Sequence, residues 1–403
     1  MAYLTEQTEQ GNGIMHKIKD GIFECTPNIP ERIKKTGKTN TWHMWHMKAV
    51  GKMGERIKIR IEWPLYDPNS VPDEIKNMPN YDAEWESFVT AARDVVFMSS
   101  DRINWTRIDN VRLCGNSLYF ETDLQSEEMY FTVTLYYTPC NYKNLIEYAA
   151  GSDLCRITNI GTDMGGDDIY AFCVTDFSVP EEGKRCVYLQ GAQHCSEFNG
   201  AHLCDFMIRY LCSGDADPKI LKKYIFRFVP IASMTSLRKG MDVHESGINP
   251  NRDWVNRELP STRAIHNYLQ GLNVKPSLLL DIHSGLANYG SWDICQALSV
   301  NDNLPEPELG NMKRFFDIVY ENCDFLPVAK KYWISFVDKS MFDGYGEQYG
   351  QTHTMEISHY ALYDRKAGKH FPIEQSGISR FAKQLAGAIN IFLEEIKDGR
   401  KNM

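Results

Sequence analysis

Residues 186–197 read Cys186-Val187-Tyr188-Leu189-Gln190-Gly191-Ala192-Gln193-His194-Cys195-Ser196-Glu197. The first five form an apolar run the size of one buried strand. Gly191 interrupts it. Gly200, Ala201, Cys204, Ile208 and Leu211 then recur at helical spacing. A strand that runs straight into a helix is the repeating unit of an α/β sheet, and such sheets bind ligands beyond the carboxyl ends of their strands. His194 and Glu197 stand at that junction.

The same texture continues on both sides. Strands are expected over 155–160, 170–175, 184–190, 224–230, 277–282 and 352–358. Helices are expected after Glu197 and over 261–272 and 308–321. The chain closes on an amphipathic helix in which Ile378, Phe381, Leu385, Ile389, Phe392 and Ile396 recur every three or four positions. Upstream, the segments are strand-sized and separated by polar turns. Residues 57–63 alternate cleanly, 129–137 are rich in aromatic and β-branched residues, and 104–113 and 117–122 are split by Gly115-Asn116. One helix is expected there, over 82–96. The expected architecture is therefore an α/β domain, with a mixed and mostly parallel sheet flanked by helices, over 146–403. A smaller antiparallel β-sandwich over 1–145 precedes it.

Composition bounds the function. Of 403 residues, 43% are hydrophobic and 24% charged, as in a soluble globular protein. The net charge is 44 − 53 = −9. A mildly acidic chain with no basic cluster argues against binding nucleic acid. The polar opening residues lack the apolar core of a signal peptide, and no apolar run reaches the roughly 18 residues of a membrane span. The 11 cysteines, odd in number and without a Cys-x-x-Cys pair, fit free thiols in a reducing compartment, so a cytoplasmic location is expected.

The chemistry is carried by three groups of residues. His194, Glu197 and a second strand-end histidine, His283 in Leu278-Leu279-Leu280-Asp281-Ile282-His283-Ser284, offer two imidazoles and a carboxylate. That donor set suits one tetrahedral zinc ion with an open position. Glu356, in Thr352-His353-Thr354-Met355-Glu356-Ile357-Ser358, is a carboxylate at the centre of a strand. Such a group is costly unless it faces a polar cavity, and it is the expected general base. Asn251-Arg252, in Gly247-Ile248-Asn249-Pro250-Asn251-Arg252-Asp253, puts an amide beside a guanidinium whose planar fork suits a carboxylate. Bland readings accompany these. Arg252 alone could pair with Asp253 or Glu258, and Cys195 reads as a small packing residue. His43 and His46, on opposite faces of a strand, read as packing histidines and not as a second metal site.

His-x-x-Glu, Asn-Arg, a strand-end His and a strand-borne Glu, in this order, resemble the zinc carboxypeptidases (peptidase family M14) from about residue 157 to the C-terminus. The segment Tyr136-Tyr137-Thr138-Pro139-Cys140-Asn141-Tyr142 looks like the end of the amino-terminal sandwich in the cytosolic carboxypeptidase branch. The resemblance implies one zinc ion per chain on His194, Glu197 and His283, and Glu356 as base. It implies that Asn251 and Arg252 grip the substrate's terminal carboxylate. Two departures stand out. Asn249 occupies the position of an acid that orients the first zinc histidine, and Asp242 aligns with an oxyanion-stabilising arginine, for which Arg238 or His244 are the nearby substitutes. Tyr345 and Tyr349 are the candidates for a substrate-contacting tyrosine.

The resulting expectation is a zinc metallocarboxypeptidase acting on the C-terminus of a peptide or of a polypeptide side-chain branch, with no nucleic-acid or membrane partner. Two alternatives stay open. One is an amidase for N-acyl amino acids or cell-wall peptides on the same fold. The other is a pseudoenzyme that binds zinc and peptide C-termini without cutting. Oligomeric state is not readable from the sequence.

Overall fold

The computed structural model describes residues 2–5, 14–19, 21–26, 46–62, 87, 91, 95–115, 117–239, 247–284, 298–301, 303–324, 333–334 and 342–396. Ten short strands make the amino-terminal part. They are β1 (Tyr3–Thr5), β2 (Ile14–Lys19), β3 (Ile22–Thr26), β4 (His46–Val50), β5 (Arg56–Glu62), β6 (Phe97–Ser99), β7 (Thr106–Arg107), β8 (Arg112–Cys114), β9 (Ser117–Asp123) and β10 (Glu128–Thr132). They form two five-stranded sheets, β1-β4-β10-β6-β7 and β2-β3-β5-β9-β8. The alternation of β5 does what its sequence dictates: Ile57, Ile59 and Ile61 are buried while Arg56 and Lys58 face out. These isoleucines meet Met47, Ala49 and Phe131 of the other sheet in one core, so the two sheets form a sandwich. All pairings are antiparallel except β3 with β5, which is parallel. The helix expected over 82–96 lies mostly outside the described residues.

The aromatic run expected as one strand over 129–137 divides at Thr132. There the Thr132 hydroxyl accepts from Thr134 N–H at 3.3 Å, turning the chain off the sheet. Beyond the turn, Leu135, Tyr136 and Tyr137 leave the sandwich core and enter the larger one. Tyr136 stacks on Phe198 with ring centroids 4.3 Å apart. The Tyr137 hydroxyl donates to Asp205 at 2.9 Å. Thr138 then caps the helix Pro139–Ala150 through a reciprocal box with Asn141. This helix crosses the 145/146 boundary drawn from the sequence, and its Tyr142 and Leu145 belong to the larger core.

The larger sheet, in the second half of the chain, has six strands among the described residues. The first four are β11 (Cys155–Thr162), β12 (Asp168–Val174), β13 (Arg185–Gly191) and β14 (Tyr224–Val229). Then come β15 (Pro276–His283) and, after the two-residue pair β16 (Ser299–Val300) and β17 (Trp333–Ile334), β18 (Gln351–Glu356). The order is β11-β12-β14-β13-β15-β18. β14, β13, β15 and β18 run parallel, and β11 and β12 add an antiparallel edge. Alternate residues feed two cores. Val187, Leu189, Leu278, Leu280 and Ile282 face the helices Phe198–Cys212, Glu308–Asn322 and Gln375–Glu395. Tyr188 and Leu279 face the helix Pro260–Gln270. Burial on both faces is why these strands read as continuous apolar runs.

Three neighbouring parallel strands end together at the carboxyl edge. Gly191 pairs with Ile282, and His283 pairs with Glu356. A pair of glycines brings the next helix onto this edge. A Cβ on Gly191 would meet the carbonyl of Gly200 at 2.5 Å, and one on Gly200 would meet Ile282 O at 2.5 Å. Only glycine at both positions allows the first turn of Phe198–Cys212 to lie against the strand ends. No described helix is long and apolar enough to cross a membrane. The ten described cysteines are all free thiols.

Candidate metal centre

Glu197 is the residue just before the helix Phe198–Cys212, in a non-helical conformation at φ −90° and ψ 65°. The turn from β13 passes through Ala192 at φ 42° and delivers His194 to the same spot. His283 arrives as the last residue of β15. Ligand atoms of His194, Glu197 and His283 all lie within 4.8 Å of one another, the one such His/Cys/Asp/Glu cluster among the described residues.

The hydrogen bonds fix which atoms face inward. His194 Nδ1 donates to Glu197 Oε1 at 2.9 Å, and His283 Nδ1 donates to Glu197 Oε2 at 2.7 Å. His194 Nε2 donates to Asn249 Oδ1 at 2.9 Å, and His283 Nε2 donates to Asp281 Oδ2 at 2.8 Å. Both nitrogens of each ring thus face oxygen atoms, the Nδ1 atoms at Glu197 and the Nε2 atoms at Asn249 and Asp281. Burial works to lower His194, yet Glu197 overrides it and holds the ring above its ordinary value. Burial also opposes His283, and Asp281 with Glu197 raise it well above the ordinary value. Buried Glu197 is held in its charged form by the same two rings.

This donor set fits zinc. Two Nδ1 atoms and one carboxylate converge, and each outer Nε2 is tied down. A divalent cation held by the two Nδ1 atoms and Glu197 would balance the carboxylate's charge. Asn249 therefore holds His194 as an acid would, through a neutral amide. It does so while capping the short turn Pro250–Arg252, its Oδ1 also accepting from Asn251 N–H at 2.8 Å. Asp281 is the functional residue the sequence reading passed over. Its signal was present: residues two apart on a strand share a face, and Asp281 is two before His283.

Glu356 ends β18 beside His283. It is partly exposed, but its Oε2 is shut off from solvent and has no hydrogen-bond partner among the described residues. Burial pushes the carboxyl up to about 8, against the pull of the His283 charge. A proton carrier with that environment can both accept and release near neutral pH.

The other expected residues distribute as follows. Asn251 is buried; its Oδ1 accepts from Phe342 N–H at 3.0 Å, and its Nδ2 lies 3.4 Å from His283 Nε2. Arg252 is exposed on the same turn, its guanidinium bonded to Asn251 O at 2.8 Å. Asp253 is not its ion-pair partner, because that carboxylate accepts from Glu258 and Leu259 N–H at 2.8 Å each. Arg238 forms a bidentate pair with Asp167 at 2.7 and 2.6 Å. Tyr345 and Tyr349 are buried with Trp254 and Phe342, and their hydroxyls engage His266, with Gln270 donating to Tyr349 at 2.7 Å. Asp242, His244 and His43 lie outside the described residues. His46 packs among the rings of Trp105, Tyr130 and Tyr136. Cys195 is buried in the larger core.

Residues 143–303 match the family model described as zinc carboxypeptidase. Solved structures share the fold along the whole chain. A putative carboxypeptidase A from Shewanella denitrificans OS-217 is 14% identical, with 98% of this chain and 100% of that one covered at a TM-score of 0.73. A metallo-carboxypeptidase from Burkholderia cenocepacia is 13% identical, covering 98% and 99% at 0.71. A metallo-carboxypeptidase from Pseudomonas aeruginosa, in complex with (2-guanidinoethylmercapto)succinic acid, is 15% identical, covering 98% and 100% at 0.70. No curated protein matches the chain. Residues 143–303 are thus similar to the zinc carboxypeptidases, and the chain shares its fold with these solved structures.

Proposed function

We propose that the protein is a zinc-dependent exopeptidase that removes the last residue of a peptide or of a polypeptide side-chain branch. The observation that carries this reading is the convergence of His194, Glu197 and His283 beside Glu356 at the ends of three adjacent strands. One zinc ion per chain would be held by His194 Nδ1, Glu197 and His283 Nδ1. When bound, it supplies a Lewis acid for the scissile carbonyl and makes water a strong enough acid to ionise near pH 7.

The chain's own residues do the rest. Glu356 takes the proton from the attacking water and returns it to the leaving nitrogen. Arg252, exposed and free of any carboxylate among the described residues, receives the substrate's terminal carboxylate. That contact is what makes the action exo. Asn251 steadies the turn that carries Arg252 and donates to the same carboxylate. The ligand of the Pseudomonas aeruginosa structure is a succinic acid, a dicarboxylic class that a guanidinium at this place would accept.

We also read two domains, 1–145 and 146–403, with the helix Pro139–Ala150 packing on the second. The free thiols support a cytoplasmic location. The test is mass spectrometry of a mixed peptide library incubated with zinc-loaded protein beside Glu356→Gln. Loss of single C-terminal residues, absent with the variant, is expected. An untouched library with zinc stoichiometrically bound would overturn the peptidase reading in favour of an amidase or a non-cutting binder.

A further inference from the structure

We infer that Asp281 is the positioning carboxylate of this centre, held in place by a buried chain through Gln190 to Tyr188. We further infer that it supplies the negative charge that Asn249 does not. The inference rests on the zinc reading above.

Asp281 is fully buried in an apolar strand, between Leu280 and Ile282. An ionised carboxylate there is costly unless both oxygens are used. Both are. Oδ2 accepts from His283 Nε2 at 2.8 Å, and Oδ1 accepts from Gln190 Nε2 at 2.8 Å. Gln190 is the register partner of Asp281 on β13. Its own Oε1 accepts from the Tyr188 hydroxyl at 3.1 Å. Tyr188, Gln190 and Asp281 are buried together. The chain spans two adjacent strands and fixes one ring, His283, in tautomer and orientation.

The two histidines are therefore not equivalent. His283 leans on a carboxylate, and His194 on a neutral amide that also serves the Asn251 N–H. Glu197 and Asp281 bring two negative charges to a divalent cation, which makes the core neutral without an acid at position 249. On this account Asp281 fixes the orientation of His283 and places a negative charge behind it, and thereby raises the affinity of the site for zinc.

The test is zinc affinity, read by competition with a chromophoric chelator on the full-length protein, with circular dichroism to confirm the fold. Asp281→Asn is expected to weaken zinc binding roughly 10–100-fold. Gln190→Met, which leaves His283 and Asp281 intact, is expected to weaken it less. Asn249→Asp is expected to tighten binding in the parent and to recover most of the loss in the Asp281→Asn background, a rescue that mere structural support would not give. A folded Asp281→Asn protein that binds zinc within about threefold of the parent would overturn the proposal. So would the absence of any gain from Asn249→Asp in either background. If Asp281→Asn does not fold, Gln190→Met and Asn249→Asp in the parent decide it. A parent that binds no zinc would instead sink the reading on which the inference stands.

Discussion

His283 and Glu356 are register partners on neighbouring parallel strands, so a candidate metal ligand and a carboxylate oxygen without a hydrogen-bond partner among the described residues share one edge of the sheet. Burial makes the ionised Glu356 carboxylate costly, and the neighbouring His283 charge offsets only part of that. Burial holds the Glu356 carboxyl up to about 8, above its ordinary 4.5. The folded state therefore binds this proton more tightly than the unfolded chain. The associated stability is full below the unfolded value and is lost as pH rises through the folded one. Glu356→Gln removes that loss. The metal-free variant should be the more stable at pH 8, by on the order of 2–4 kcal/mol, and closely matched to the parent at pH 4. Thermal melts of both proteins across that range check it. A parent–variant gap that does not grow with pH would mean Glu356 is ionised throughout.

Zinc binding should release protons. The carboxylates of Glu197 and Asp281 overcome burial and hold the two rings above their ordinary value, which favours the protonated form. A bound cation must displace the Nδ1 proton of each. Roughly two protons should appear per zinc at pH 6, and apparent affinity should rise with pH until the rings are neutral. Calorimetry in buffers of different ionisation enthalpy gives the count. Fewer than one proton per zinc at pH 6 would show that the carboxylates do not hold the rings protonated there.

Much of this arrangement was legible in the sequence. Strands buried on both faces, such as β13 and β15, leave a continuous apolar run, and the candidate ligands stand where those runs stop. What the sequence hid was three-dimensional. The aromatic run after β10 could not be seen to split at Thr132, because a side-chain hydroxyl competes locally with the ladder. The partner of Arg238 is Asp167, far away in sequence. The bond from Tyr137 to Asp205, which ties the end of the sandwich to the helix following Glu197, likewise joins distant residues. Asp281 was visible but went unused, since a lone acid in an apolar strand acquires meaning only with its neighbour Gln190 on the next strand.

The glycine pair is a further prediction. Gly200→Ala would set a Cβ 2.5 Å from Ile282 O, where backbone cannot yield cheaply. The helix must back away, and Glu197 moves with it relative to His283. A loss of about 1–3 kcal/mol in stability is expected from the overpacking alone. Zinc affinity should fall with it, because the proposed ligand Glu197 and not just a core contact is displaced. Gly387→Ala, in the helix Gln375–Glu395 with nothing near its Cβ, is the control: it should raise stability by roughly 0.5–1 kcal/mol and leave zinc affinity unchanged. Melting temperature and metal content of the two variants separate the outcomes.

Arg252→Met tests how the substrate end is read. The guanidinium is exposed and bonded only to Asn251 O among the described residues, so removing it leaves no buried partner exposed to loss. The fold and zinc content should be unchanged. For peptides ending in a free carboxylate, loss of a charge-assisted fork should lower kcat/KM by roughly 2–4 kcal/mol, or about 30- to 1,000-fold. If the contact is uniform across the reaction, the loss appears in KM; if it strengthens as the carbonyl is attacked, it appears in kcat. Peptides with an amidated C-terminus, poor substrates for the parent, should be cleaved equally poorly by the variant. Equal losses on both substrates would mean that Arg252 acts on the fold of its turn, and that the carboxylate is held by another residue.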